Sequence, residues 1–150
     1  MRDTKLGTNA IYHTLVTEWL RYLGLGETKN IGLMPITINV DGRFDIHCCL
    51  TNNEKILLLA EWSTLSLSKE ILLRALNENQ PISQVMQPRI ALRDGKYWQC
   101  WIDIPIYGCS LPDLIECFKL ITQCVEHFLN DIDSEIHSEK MPSIRHSTFS

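Results

Sequence analysis

The sequence predicts a single α+β domain whose elements follow the order helix, three strands, helix, two strands, helix. Three stretches carry apolar residues at the three- and four-residue spacing of an amphipathic helix. Between them, apolar and polar residues alternate at the two-residue period of half-buried strands, and Asp-Gly pairs stand at two of the reversals. This order predicts an antiparallel, twisted sheet packed by helices.

The first element is an amphipathic helix over Ile11–Leu23. Thr8 or Asn9 is a candidate N-cap, and Gly24 follows the last apolar residue as a C-cap glycine does. Polar residues occupy the opposite side of this helix. Its apolar stripe consists of Tyr12, Leu15, Val16, Trp19 and Leu23.

Three strand-like runs follow, Ile36–Val40, Phe44–Leu50 and Lys55–Trp62. Asp41-Gly42 separates the first two, and this pair is the strongest short hairpin signal that a sequence offers. Asn52-Asn53 marks the second reversal. The three runs are therefore predicted to form an antiparallel meander.

A second helix over Leu67–Asn77 and a second hairpin come next. Pro81 lies shortly beyond the helix and stops it. The hairpin strands, Val85–Arg93 and Lys96–Ile104, flank Asp94-Gly95, which predicts a two-residue turn. Two serines are candidate N-caps of the helix, Ser66 and Ser68.

The last helix has the clearest start, because Ser110-Leu111-Pro112-Asp113 matches the S-x-x-D capping pattern with proline inside the first turn. Its apolar stripe continues through Phe128, and the chain turns polar after Asp131. We therefore divide the chain into an N-terminal extension (1–8), a domain (9–130) and a polar, flexible tail (131–150).

Composition excludes several classes of function. The chain has 150 residues, is 45% hydrophobic and carries a formal net charge of −4, so a nucleic-acid footprint of clustered Lys and Arg is not expected. The longest apolar run, Ile56–Ala60, is far shorter than the ~20 residues of a membrane helix. The N-terminus also lacks the apolar segment of a secretory signal. We expect a cytosolic protein without nucleic-acid or membrane partners.

The positions of the six cysteines in the predicted strands and helices do not support a disulfide framework. Cys48 and Cys49 are adjacent on a strand and point to opposite faces. Cys117 and Cys124 lie two helical turns apart, about 10 Å in rise, which is beyond disulfide reach. No C-x-x-C motif is present. We expect reduced cysteines that pack as small apolar residues.

The sequence contains no P-loop, dinucleotide fingerprint, G-x-S-x-G elbow or H-E-x-x-H motif. His47 shares a strand face with Cys49, at a spacing of ~6–7 Å. Cys124 and His127 could supply two metal ligands from one helix face, but a metal site would need further ligands. We predict no catalytic residue, no metal site and no cofactor. Two carboxylates of the tail are expected to be solvated, Asp131 and Asp133.

One face of the predicted sheet carries more apolar residues than a solvated face needs. The opposite face of the sheet already completes a core against the first and last helices. The apolar-rich face is therefore expected to be solvated and polar. Something must cover part of it: the second helix, a second subunit or a client peptide. Its apolar residues, Leu57, Leu59, Tyr97 and Trp101, stand beside Asp45, His47, Gln99 and Asp103.

The element order and three local motifs resemble the class I type III secretion chaperones, the Tir-chaperone-like family. Leu15–Leu25 (LVTEWLRYLGL) is similar to the family's opening helix and its leucine/glycine turn. Glu70–Asn77 (EILLRALN) is similar to its second helix, and Ser110–Leu114 (SLPDL) to the start of its final helix. The resemblance covers Asn9–Asn130.

This resemblance implies a homodimer in the bacterial cytoplasm that binds the N-terminal segment of a secreted effector, keeps it extended and export-competent, and uses no cofactor. Family dimers meet through the second helix and the first strand of the second hairpin. The corresponding residues here are Ile71, Leu72, Ala75, Leu76, Ile90 and Leu92. Element position and exposed apolarity place effector contacts at Leu33, Ile36, Ile38, Leu57, Leu59 and Trp101.

Three alternatives remain open at this point. One is a regulatory protein of the same fold that sequesters a regulator or component of the secretion system. Another is a small enzyme that uses His47 or His127 with a carboxylate, and a third is a bacterial domain of like topology without a secretion role. An enzyme should show a concave pocket with a strongly perturbed titratable group. A chaperone should show a two-fold dimer with exposed apolar grooves.

Overall fold

The structure, a computed structural model, describes residues 2–26, 35–63, 67–81 and 86–140, with the side chains of 2–6 and 131–140 left out. Within this part, three helices and five strands follow the order predicted from the sequence. The α+β architecture is thereby confirmed. The elements are α1 Arg2–Tyr22, β1 Ile36–Val40, β2 Phe44–Leu50, β3 Lys55–Ser63, α2 Lys69–Glu78, β4 Arg89–Arg93, β5 Tyr97–Pro105 and α3 Leu111–Lys140.

All five strands form one antiparallel sheet in the order β1-β2-β3-β5-β4. The first three strands are the predicted meander. The second hairpin adds to it with β5 inside, paired to β3 along its whole length from Lys55 opposite Pro105 to Ser63 opposite Tyr97. Strands β1 and β4 are therefore the two edges of the sheet.

The turn of the second hairpin differs from the predicted two-residue turn. Asp94 and Gly95 have positive φ angles of 56° and 65°, which are the angles of a type I′ turn. The N–H of Lys96 closes that turn on the carbonyl of Arg93 at 3.1 Å. The first strand pair, however, joins Arg93 to Tyr97, so the loop holds three residues, and Lys96 is the extra one. The prediction of a two-residue loop was wrong by this one residue.

The hydrophobic core lies between one face of the sheet and the helices α1 and α3. Helix α3 packs on β3 and β5, and α1 packs against α3. The Phe128 ring sits edge-on to Trp98 and Trp62, with ring centroids 4.9 Å and 6.0 Å away. The sheet residues buried in this core are Ile38, Phe44, Ile46, Cys48, Ile56, Leu58, Ala60, Trp62, Ile90, Trp98, Cys100, Ile102 and Ile104.

Helix α2 packs beside β4 on the same side of the sheet as α3. Ser68 caps it, because the Ser68 Oγ accepts a hydrogen bond from the N–H of Ile71 at 3.1 Å. Ile71 and Ala75 are buried in the common core. The Asn79 side chain bonds both backbone groups of Ile90 on β4, at 2.6 Å and 2.7 Å. These two hydrogen bonds tie the end of α2 to the edge strand.

Two helices extend beyond their predicted ends. Helix α1 begins at Arg2 instead of Ile11, because Thr8 is not a cap: it is buried inside the helix, with its hydroxyl 3.2 Å from that of Tyr107. Helix α3 begins with the predicted capping box, in which Ser110 and Asp113 bond each other's backbone N–H at 3.0 Å and 3.3 Å. It continues through residue 140, so part of the predicted tail is helical, and the domain division stays a prediction.

Candidate functional site

The face of the sheet that points away from the helices is the candidate site, and we call it the open face. Within the described residues, α1 and α3 cover the opposite face, and α2 packs beside β4 on their side. Alternate residues of β2, β3 and β5 therefore point to the open face and remain half-buried or exposed. Of the three covers considered for this face, the second helix is thus excluded by its position.

Four apolar side chains form one cluster at the centre of the open face. Leu57 and Leu59 lie on β3, opposite Cys49 of β2 and Trp101 of β5 respectively. Side chains that face each other across antiparallel strands stand about 4.5–5.5 Å apart, so the four residues make a continuous surface. All four are half-buried. We call Cys49, Leu57, Leu59 and Trp101 the apolar patch.

A hydrogen-bonded charge cluster borders the apolar patch on one side. The Glu61 carboxylate accepts bonds from Arg93 Nη2 at 2.9 Å and from Gln99 Nε2 at 2.8 Å. The bond from Arg93 is the main cause that lowers the pKa of Glu61, and the bond from Gln99 adds to it. The Arg93 guanidinium also lies over the Tyr97 ring, 4.5 Å from its centroid. These bonds keep a charged row in a defined geometry next to the leucines.

Polar residues border the apolar patch on two further sides. Lys55 and Asp103 stand beside Leu57, with the ammonium and carboxylate 3.9 Å apart. On β2, His47 stands beside Leu59, and its Nδ1 lies 2.9 Å from the Thr37 hydroxyl of β1. An apolar centre with a polar rim is the anatomy of a protein-docking surface.

The two edge strands differ in the hydrogen bonding of their outward-facing backbone groups. On β4, both backbone groups of Ile90 are bonded by Asn79 of α2. On β1, Asn39 and Thr37 bond inward to side chains of β2, and no described residue pairs with the outer edge of the strand. An unpaired edge is a template for a further strand. Within the described chain, β1 is the edge that offers it.

The residues predicted to contact an effector fall into three groups. Leu33 lies outside the described residues. Ile36 and Ile38 lie on β1 but point to the core face, where Ile38 is buried and Ile36 is half-buried, so β1 presents its backbone edge rather than these side chains. The structure brings the remaining three together in the apolar patch: Leu57, Leu59 and Trp101.

The residues predicted at a dimer interface divide between the core and the surface. Leu72 and Leu76 of α2 are 38% and 68% exposed, and Leu92 of β4 is half-buried. Leu73, which was not among the predicted interface residues, is 54% exposed beside them, away from the buried Ile71 and Ala75. We call Leu72, Leu73 and Leu76 the α2 leucine surface. Three predicted interface residues are buried within their own chain, Ile71, Ala75 and Ile90.

In the described part of the chain, the side chains considered as metal ligands do not assemble into a metal site. There, no group of three or more His, Cys, Asp or Glu residues is arranged to hold a metal ion. Cys124 and His127 do line one cleft together. The side chains of Asp131 and Asp133 lie outside the described set. None of the described helices is both long and apolar enough to cross a membrane.

Solved structures with the same fold include secretion chaperones. The type III secretion chaperone SycH from Yersinia pestis, solved with a stable fragment of YscM2, aligns with a TM-score of 0.65 at 21% identity, over 79% of this chain and 98% of that chain. A chain of the ExoT–SpcS complex from Pseudomonas aeruginosa aligns with a TM-score of 0.64 at 13% identity, over 79% of this chain and 97% of that chain.

The fold also occurs outside these complexes. YbjN from E. coli, named as a candidate transcription regulator, aligns with a TM-score of 0.56 at 11% identity, over 80% of this chain and 90% of that chain. At such identities, each structure shows the fold of this chain and not its function. No curated protein sequence matches the chain significantly.

A match to a family model shows which family the chain belongs to. A model of the Tir chaperone protein (CesT) family matches residues 14–129, which is more than three quarters of the 150 residues. The match begins within α1 and ends within α3, so it includes all five strands and α2. The chain therefore belongs to the Tir chaperone protein (CesT) family, a family of chaperones and not of enzymes.

Proposed function

We propose that the chain is a type III secretion chaperone that binds the N-terminal segment of a secreted effector in the bacterial cytoplasm and keeps that segment extended and export-competent. Membership of the Tir chaperone family supports this function. The single structural observation that carries it is the apolar patch, which lies on a sheet face that no described helix covers.

The apolar patch suits the side chains of an unfolded client. Its three large members, Leu57, Leu59 and Trp101, offer apolar area to a partner, and each CH₂ group buried there contributes about 0.8 kcal/mol. The charged rim around Glu61 and Asp103 stays solvated when the centre is covered. A client with spaced apolar residues and polar residues between them matches this arrangement.

The open edge of β1 suits the backbone of the same client. An extended segment that pairs with β1 would satisfy its N–H and C=O groups by strand addition, independently of its sequence. Leu33, Ile36 and Ile38 remain proposed contacts of that segment. Backbone pairing also keeps the bound segment extended, which is the state that export requires.

We propose that two copies of the chain form a dimer through the α2 leucine surface and β4. Leu72, Leu73 and Leu76 are exposed and adjacent on α2, and a monomer gains nothing from exposing three leucines there. The proposed interface also includes Leu92, while Ile71, Ala75 and Ile90 support it from within the chain. A closed two-fold dimer would bury this surface and present two apolar patches.

The experiment that tests the function is recovery of the client. We expect the tagged full-length chain, purified from the cytoplasm of its own bacterium, to hold a second protein. After limited proteolysis, the protected fragment should map to the N-terminal region of a secreted protein. A protected fragment of a non-secreted regulator would instead support the regulatory alternative, and a folded globular partner without a protected N-terminal segment would contradict the proposal.

The dimer is tested separately by light scattering. We expect a mass of twice the 17.3 kDa chain, and we expect Leu76→Asp to shift it to that of one chain because a buried carboxylate opposes association. The control is Leu25→Asp, which alters a leucine that is 55% exposed and lies after α1. A mass of one chain over a wide concentration range for the unmodified protein would contradict the dimer.

A further inference from the structure

The charged residues of the rim around the apolar patch are paired within the chain. The Glu61 carboxylate accepts hydrogen bonds from Arg93 Nη2 at 2.9 Å and from Gln99 Nε2 at 2.8 Å. On the opposite side of the patch, the Asp103 carboxylate lies 3.9 Å from the Lys55 ammonium. Each of these charges already has a partner in the chain, so a client gains little by neutralising it.

Arg89 differs from these charged residues. It is the first residue of β4, and because Ile90 is buried in the core, the Arg89 side chain points to the open face. There it is exposed and lies opposite Trp101 in the strand register. No described residue forms a hydrogen bond or an ion pair with its guanidinium, and the nearby Asp103 is paired with Lys55. A cation without a counter-charge in the described chain therefore borders the apolar patch.

Arg89 continues a row of side chains that crosses the sheet. Leu59 of β3, Trp101 of β5 and Arg89 of β4 are register partners on neighbouring strands. Adjacent strands lie 4.7–4.9 Å apart, so about 10 Å separates the backbone of Leu59 from that of Arg89. The indole N–H of Trp101 also has no acceptor among the described residues. The row thus runs from an apolar side chain to hydrogen-bond donors, of which the last is cationic.

We propose, building on the chaperone function proposed above, that Arg89 selects client segments in which an Asp or Glu stands about three residues from an apolar residue that packs on Leu59 and Trp101. An extended chain advances about 3.3 Å per residue, so about three residues span the row. The guanidinium presents a planar fork of N–H donors that fits a carboxylate. The apolar residue supplies most of the affinity, and the carboxylate fixes the register of the bound segment.

The test is a selection from a displayed library of random peptides, with the full-length chain in its native oligomeric state as bait. Retained peptides should be enriched in Asp or Glu about three residues from an apolar residue. With Arg89→Gln as bait this enrichment should disappear, and with Arg89→Glu it should be replaced by Lys or Arg. Arg21→Gln is the matched control and should retain the same peptides as the unmodified chain, because Arg21 is an exposed arginine of α1, on the other side of the sheet.

A double-mutant cycle on one selected peptide measures the contact itself. Exchange of the acidic residue for its amide should weaken binding to the unmodified chain about fivefold, the upper end for an ion pair near the surface. The same exchange should leave binding to Arg89→Gln unchanged. Fluorescence anisotropy of the labelled peptides gives the four affinities, and the difference should shrink as salt is added.

Leu57→Asp separates the role of Arg89 from the proposed function. Peptides that Leu57→Asp releases, but that lack the acidic enrichment or keep it with Arg89→Gln as bait, would overturn the role of Arg89 and leave the apolar patch as a binding site. If no peptide were selected, or if Leu57→Asp released none of them, the apolar patch would be excluded as the binding site and the role of Arg89 with it.

Discussion

The two faces of the sheet use the same strands but are built differently. On the core face, nearly every position is apolar, and the two helices exclude water from it. On the open face, Leu57, Leu59 and Trp101 stand between charged rows that already satisfy one another, such as Glu61 with Arg93. The first face holds the fold together, and the second has apolar area that the fold does not need. The contrast indicates that stability and binding are separated across one sheet.

Removal of one tryptophan from each face should change the stability of the chain by very different amounts. Trp98→Ala should destabilise the chain by about 3–5 kcal/mol, because Trp98 is buried and packs edge-on against Phe128. Trp101→Ala should cost less than about half of that, because Trp101 is half-buried and has no helix above it. Urea unfolding at one protein concentration measures both. Equal losses would show that the open face is part of the stabilising core.

The next largest effect concerns the client. Leu57→Asp and Trp101→Asp should each weaken client binding at least tenfold, which is about 1.4 kcal/mol, because each places a charge in the apolar patch. Retention of the co-purified client segment on the tagged variants measures this, and circular dichroism checks that the variants fold.

Ser63→Asp is the control for these two variants. Ser63 lies on the same strand and face as Leu57 but is exposed and outside the apolar patch, opposite Tyr97. Its client retention should match that of the unmodified chain. Unchanged retention in both Leu57→Asp and Trp101→Asp would remove the open face from the binding site.

The core face could be predicted from the sequence, because alternation along each strand decides it without knowledge of the partner strand. By this rule Ile46, Leu58 and Ile102 belong to the same face of the sheet, and all three are buried. The Asp-Gly turns likewise located both hairpins. The surplus of apolar residues on the other face was also visible, because Leu57 and Leu59 occupy alternate positions that a solvated strand leaves polar.

The cover of the open face could not be predicted, because it depends on contacts between distant elements. Helix α2 is held beside β4 by the hydrogen bonds between the Asn79 side chain and the Ile90 backbone. No local sequence pattern predicts this contact. Thr8 resembles a cap, but its contact with Tyr107, 99 residues away, places it inside α1. The change to polar residues after Asp131 led to a predicted helix end that was too early, because polar residues alone do not stop a helix. The next helix-breaking residue in the sequence is Pro142.

The smallest expected effect is the pH dependence of the charged rim. Arg93 and Gln99 lower the pKa of Glu61 in the folded chain, so its ionised form stabilises the fold above the unfolded-state pKa of about 4.3. That contribution is lost as the pH falls through the lower, folded-state pKa. Glu61→Gln should therefore be less stable than the unmodified chain at pH 6, by no more than about 1 kcal/mol for a pair near the surface.

Urea unfolding at pH 6, 4.5 and 3 measures how this difference changes, and it should shrink steadily toward acid. Arg93→Ala is the companion variant, because it removes the first cause of the shift and leaves the bond from Gln99 in place. In that background, Glu61→Gln should have a smaller and less pH-dependent effect. A difference that stays constant or grows toward acid would mean that the rim contributes through packing against Tyr97 and not through the charge of Glu61.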